Sequence, residues 1–146
     1  MPNETIREKG GKMKNTISYW KPRAWKAFSD YIKLRDALES TGTVDKVVCC
    51  TCLKKYPVKG MHGGHFNPGR HNSILFEERG VHAQCYYCNI QRKGAPREYD
   101  TFMKMRYGQE VIDELDSKAK ETKQMKWCDY KEVYDLYTEK IKNVQI

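Results

Sequence analysis

The sequence has no long hydrophobic run. Nowhere do about 18 apolar residues follow one another, which excludes a transmembrane helix. The opening stretch, Met1 to Lys14, is polar and lacks the apolar segment of a secretory signal, so the expectation is an intracellular, cytoplasmic protein. There is no internal repeat and no low-complexity tract, which excludes a solenoid or a fibrous chain. Negative charge is scarce in the middle. From Leu53 to Arg97 eight lysines and arginines face only Glu77 and Glu78, and that stretch holds most of the net charge of +8. Such an imbalance favours a polyanionic partner, nucleic acid first. Large apolar residues are thin there too, so burial alone closes no ordinary core.

Cysteine, histidine and glycine fill the same region. Val44 to Gly94 holds five of the six cysteines, all four histidines and six of the ten glycines. At 146 residues the chain suits one compact domain. A polar, disordered arm is expected over residues 1–15, with a single domain over 16–146. Within it, residues 16–42 carry a helix, 43–97 the cysteine-rich core and 98–146 a helical C-terminal region. Trp25, Phe28 and Ile32 recur at helical spacing, and the helix is predicted over 22–39, with Pro22 in its first turn and Ser40-Thr41-Gly42 after it. Short strands are predicted around Val47-Val48, Gly64 to Phe66 and Val81 to Gln84. A short helix starts at Tyr86 or Tyr87 and stops before Gly94. Tyr99, Phe102, Met103 and Tyr107 mark another, Val111, Ile112 and Leu115 a third, and Tyr130 to Ile141 a last one, with Asp129 as its N-cap.

Cys49-x-x-Cys52 and Cys85-x-x-Cys88 are two knuckles of the kind that close a tetrahedral Zn²⁺ site, each placing two thiolates on one side of a tight turn. In a reducing compartment a metal explains them better than disulfides. Four thiolates leave no open position, so this zinc is structural and its binding energy becomes folding energy. Cys50 competes with Cys49 for the first position, and spacing favours Cys49. Cys128 reads as a small buried apolar residue. Between the knuckles stand His62, Gly63, Gly64, His65 and Phe66. The second knuckle runs on into Asn89, and Gly80 to Cys88 contains His82.

That order, a knuckle, Gly-His-aromatic, a loop, then Cys-x-x-Cys-Asn, resembles the zinc-containing HNH nucleases. The resemblance implies an α+β fold: a small zinc-knuckle ββα-metal (HNH-like) core flanked by N- and C-terminal helices. It implies His65 as general base and Asn89 as ligand of a catalytic divalent ion, Mg²⁺ or Mn²⁺. Phosphodiester hydrolysis asks for such groups, an imidazole to take a proton near neutral pH and a hard cation on the phosphate. Two positions depart from the HNH pattern. Gly64 stands where an acidic residue or histidine precedes the base, and Gly80 where an asparagine precedes the third cysteine. The second ion ligand is therefore open between His62 and His82, with Glu77 and Glu78 as weaker choices and His71 on the surface.

A longer likeness covers Trp25 to the C-terminus. Ala27-Phe28, Tyr31-Ile32 and Arg35-Asp36-Ala37, then Gly64-His65-Phe66, Phe76-Glu77-Glu78-Arg79, His82, Cys88-Asn89 and Tyr107 to Val111 are similar to phage lambda-type NinG (Rap) recombination proteins. That resemblance implies an endonuclease of Holliday junctions and D-loops, in the host cytoplasm if phage-encoded. A catalytically inactive, zinc-containing DNA-binding module is the alternative. Lys54, Lys55, Lys59, Arg70, Arg92, Lys93 and Arg97 are the expected phosphate contacts. Tyr86 and Tyr87 are expected to pack rather than stack. Paired cuts favour a homodimer, through Trp25 to Leu38 or the C-terminal helix.

Overall fold

The computed structural model describes residues 15–144, so the expected N-terminal arm lies outside it except for Asn15. The first helix, α1 (Ile17–Thr41), begins earlier than the periodicity predicts. Thr16 is the reason: its hydroxyl accepts the Tyr19 N–H at 3.2 Å and caps the helix. Pro22 consequently sits in the second turn, where its missing N–H forfeits the bond to the Ser18 carbonyl. At the other end Gly42 takes the left-handed conformation (φ 77°) and its N–H returns to the Leu38 carbonyl.

Two small antiparallel sheets follow, giving an α+β architecture. Strands β1 (Lys46–Val48) and β2 (Lys55–Pro57) form a hairpin whose turn carries the first knuckle; β2 is not signalled by the sequence pattern. Strands β3 (His62–His65) and β4 (Val81–Gln84) pair with His62 opposite Gln84, Gly64 opposite His82 and His65 opposite Val81. Their connection holds the one-turn helix α2 (Asn72–Leu75) and a 3₁₀ turn, Glu78–Gly80. A wide π-helical turn, Tyr87–Gln91, follows β4, then α3 (Pro96–Arg106), α4 (Gln109–Ala119) and α5 (Trp127–Lys142). Asp129, expected as the N-cap of α5, stands inside its first turn, and its carboxylate accepts the Lys126 N–H at 2.8 Å.

Helix α5 lies along α1. Trp20 meets Tyr134 at 5.5 Å between ring centroids, Phe28 meets Tyr137 at 4.9 Å and Tyr31 meets Tyr137 at 5.4 Å. The pairs climb together, so the helices run parallel. Phe28, Ile32, Val81 and Tyr137 are buried between α1, α5 and β4. Each such side chain contributes about 1.5–3 kcal/mol. The two faces expected to supply a dimer interface are thus largely spent on each other within one chain.

A buried polar group ties α1 to β4. Asp36 accepts the Ala83 N–H at 2.8 Å, the Arg35 guanidinium at 2.9 Å and a ring nitrogen of His82 at 3.1 Å. Arg35 also donates to the carbonyls of Glu78 and Val81, both at 2.9 Å. Burial pushes the Asp36 carboxyl up, but His82 and Arg35 more than offset it and hold it below the usual carboxylate range.

Candidate metal centre and adjoining site

The four knuckle thiols converge. The sulfurs of Cys49, Cys52, Cys85 and Cys88 all lie within 4.8 Å of one another, with Cys52 and Cys85 at 3.9 Å. Sulfurs bound to one tetrahedral zinc stand about 3.8 Å apart, so these residues could hold such an ion with little movement. Local backbone makes the convergence. The Cys49 N–H bonds the Lys54 carbonyl and the Leu53 N–H the Cys49 carbonyl, both at 2.9 Å, with Leu53 forced to φ 66°. The Cys85 N–H points at the Cys49 sulfur, 3.4 Å away. Burial opposes ionisation of Cys49, yet N–H groups of Cys52, Cys85 and Thr51 and the Thr51 hydroxyl bring its thiol down to about 6, as befits a metal ligand. Cys50, the competitor for the first position, turns away into a core with Tyr99, Met103, Ile112 and Leu115. Burial there raises its thiol well above the ordinary range. Cys128 is half-buried on α5.

Alternation along β3 divides the histidines. A Cβ added at Gly63 would meet Ser29 of α1 at 2.8 Å, whereas one added at Gly64 would meet Gln84 at 1.8 Å. Gly63 and His65 therefore face α1, and His62 and Gly64 face the other side. On that side the Asn89 amide lies 2.9 Å from His62 Nδ1. Asn89 directly follows Cys88, so the second knuckle sets its position. His65 stands on the α1 side. It stacks on Trp25 with centroids 4.9 Å apart, and its Nε2 meets the Leu75 carbonyl at 3.2 Å. A carbonyl only accepts, so Nε2 carries the proton and Nδ1 keeps its lone pair. Burial, reinforced by the Arg70 charge, lowers the His65 pKa to about 4 despite the Leu75 carbonyl. Arg70 itself lies over the Trp25 ring at 4.6 Å. The structure thus brings His62 to Asn89 and leaves His65 apart from both.

His82 belongs to neither group. It is fully buried, with one ring nitrogen on Asp36 and the other 2.9 Å from the Tyr107 hydroxyl. That placement corrects the expectation of His82 as an ion ligand beside Asn89, because both nitrogens are committed to the core. Glu77 is held by Arg79 and Lys118 and Glu78 by Tyr137 and Lys140, which spends both carboxylates on ion pairs. His71 is exposed. Of the expected phosphate contacts, Lys54, Lys55, Lys59, Arg70, Lys93 and Arg97 are exposed, while Arg92 is paired with Glu98 at 2.5 Å.

Sequence reasoning missed two features. Asp36 and Arg35 read as ordinary helix residues, and only their contact with β4 reveals them. Tyr86 and Tyr87, expected to pack, are 54% and 56% exposed. Their position offered a signal: they are the two residues between the cysteines of a knuckle, and inward thiolates push them outward.

No solved structure matches the chain. A family model described as "Bacteriophage Lambda NinG protein" matches residues 3–146. The chain is 28% identical over 100 residues to the protein ninG of Escherichia phage lambda, covering 68% of this chain and 45% of that one. The match to the protein ninG of Escherichia phage 933W is also 28% over 100 residues, covering 68% and 46%. With the protein ninG of Salmonella phage P22 it is 25% over 130 residues, covering 88% and 59%. The chain spans about half the length of the curated relatives it matches. With a family model covering nearly its whole length, joined by these relatives, the chain belongs to the NinG family of phage proteins.

Proposed function

We propose that this protein is a zinc-stabilised, metal-dependent DNA endonuclease of the HNH type. The observation that carries the reading is the pairing of His62 with Asn89 at 2.9 Å on the flank of the cysteine cluster. A half-turn of the Asn89 amide presents Oδ1 in place of Nδ2. Imidazole nitrogen and amide oxygen then stand at the separation of neighbouring ligands around a six-coordinate Mg²⁺, about 3.0 Å. They are donors that Mg²⁺ or Mn²⁺ accepts, whereas the thiolates suit zinc. Such a cation, when bound, offsets charge developing on the scissile phosphate.

The remaining work falls to the protein's own groups. The cysteine cluster fixes Asn89 against β3. His65 is the general base, held by the Leu75 carbonyl, its Nδ1 without a hydrogen-bond partner among the described residues and its ring uncharged at neutral pH. Arg70, beside it on Trp25, contacts phosphate, as do Lys54, Lys55, Lys59, Lys93 and Arg97. Branched DNA, such as Holliday junctions and D-loops, is the substrate suggested by the family resemblance. Paired cuts on such a substrate call for a homodimer, checked by light scattering with junction bound.

One observation favours a second reading, a DNA-binding module without catalysis. His65 and the His62–Asn89 pair occupy opposite faces of β3, and Gly64 offers no ligand between them. Cleavage of labelled duplex, flap and four-way junction DNA in Mg²⁺ or Mn²⁺ separates the readings. We expect cleavage by the wild type, and none by His62→Ala, Asn89→Ala or His65→Ala. A wild type that binds but never cuts overturns the endonuclease. Normal cleavage by His65→Ala removes the base assignment alone.

A further inference from the structure

We propose that Tyr86 and Tyr87 form a stacking platform for unpaired nucleobases of DNA. The proposal rests on the reading above that this face meets DNA. The two rings are the intervening residues of the second knuckle, and each is more than half exposed. Ile90, one turn later, is 49% exposed and extends the patch. Neither tyrosine hydroxyl has a hydrogen-bond partner among the described residues. Tyr86 stands edge-on to His62 with centroids 5.8 Å apart, so the platform adjoins the proposed cation pair.

Three properties select the occupant. From Cys85 to Glu98 the chain has Arg92, Lys93 and Arg97 against one acidic residue, Glu98, which pairs with Arg92; the exposed Lys93 and Arg97 left over suit a polyanion better than an apolar protein partner. Bases inside a duplex are stacked on one another and offer no free face; a base at a gap, a flap or an open branch point does. Cysteines on both sides hold the rings, so little side-chain freedom is lost when a base settles on them. Such contacts are tolerant of base identity, because every base has a π-face. The platform therefore reads the openness of the DNA rather than its sequence.

The test uses the full chain loaded with zinc, in Ca²⁺ to prevent cleavage. Binding is measured to a fully paired duplex and to a gapped duplex of equal length carrying 2-aminopurine at an unpaired position. The wild type should favour the gapped DNA and quench the probe. The double variant Tyr86→Ala, Tyr87→Ala should lose about tenfold or more in affinity for gapped DNA, keep its duplex affinity and leave the probe bright. Tyr86→Phe, Tyr87→Phe should behave as wild type. Zinc content and circular dichroism establish that the alanine variant is folded, which its exposed positions favour. Equal affinity of folded alanine variant and wild type for gapped DNA, or an equal loss on both DNAs, overturns the platform. Preference for single-stranded RNA over gapped DNA overturns the choice of ligand. Failure of the endonuclease reading shows elsewhere, as absent cleavage in Mg²⁺ with the binding preference intact.

Discussion

A methyl group at position 64 would stand 1.8 Å from the Gln84 amide oxygen, and Gln84 is held in place by Thr51 at 3.1 Å and the Gly94 carbonyl at 3.0 Å. Gly64→Ala should therefore cost about 2–3 kcal/mol in urea unfolding, and the double variant with Gln84→Ala should recover part of it. The same crowding explains why the residue before His65 is not the acid that the HNH pattern suggests: the space belongs to Gln84. His65 carries a second residue-scale prediction. Its pKa falls from 6.5 to about 4 on folding. Between those values the unfolded chain binds the extra proton, so stability declines as pH drops through that window. From pH 7 to pH 5 the group removes about 2 kcal/mol. Chemical denaturation of wild type and His65→Phe at both pH values checks it, and the variant should lose less stability than wild type on acidification.

At the scale of elements, the cysteine cluster and Asp36 do what apolar burial does elsewhere. Asp36→Ala leaves the Arg35 guanidinium and His82 without their common partner at the α1–β4 junction. We expect a loss of about 3–5 kcal/mol in denaturant unfolding. Chelation of a bound metal should separate the β1–β2 turn from the start of the π-helical turn, read as faster amide exchange in residues 46–57 and 85–91, with α1 and α5 still protected. Retained protection throughout would remove the metal from the account of stability. Much at this scale was legible. The knuckle spacings pick out the four cysteines that converge, and helical periodicity finds α1, α3, α4 and α5. What escaped had no local signal. Thr16 starts α1 ahead of its first core residue, and β2 is too short to show alternation. His62 and Asn89 are 27 residues apart and meet only through the β3–β4 register.

At the scale of the molecule, charge dominates the expected behaviour. With about six exposed contacts, the slope of log affinity against log salt should be near −5, read by anisotropy on duplex DNA. Arg92→Ala should alter that slope least, because Glu98 already neutralises Arg92. A slope near zero would remove DNA as the partner of the basic segment. Charge counts made the basic excess of the middle segment legible in the sequence; the division of His65 from His62 and Asn89 was not, since a motif gives order along the chain and not the face on which each side chain falls.

The parallel pairing of α1 with α5 ties residue 20 to residue 134 and residue 28 to residue 137. During synthesis α1 leaves the ribosome well before α5. Until α5 arrives, Trp20 and Phe28 remain uncovered, a liability for association with other nascent chains. Contacts this distant also slow folding, since a long loop must close before they form. A product ending ahead of Trp127 would keep every knuckle cysteine and still present that bare helix face, which makes it a substrate for chaperones and proteases in the cell.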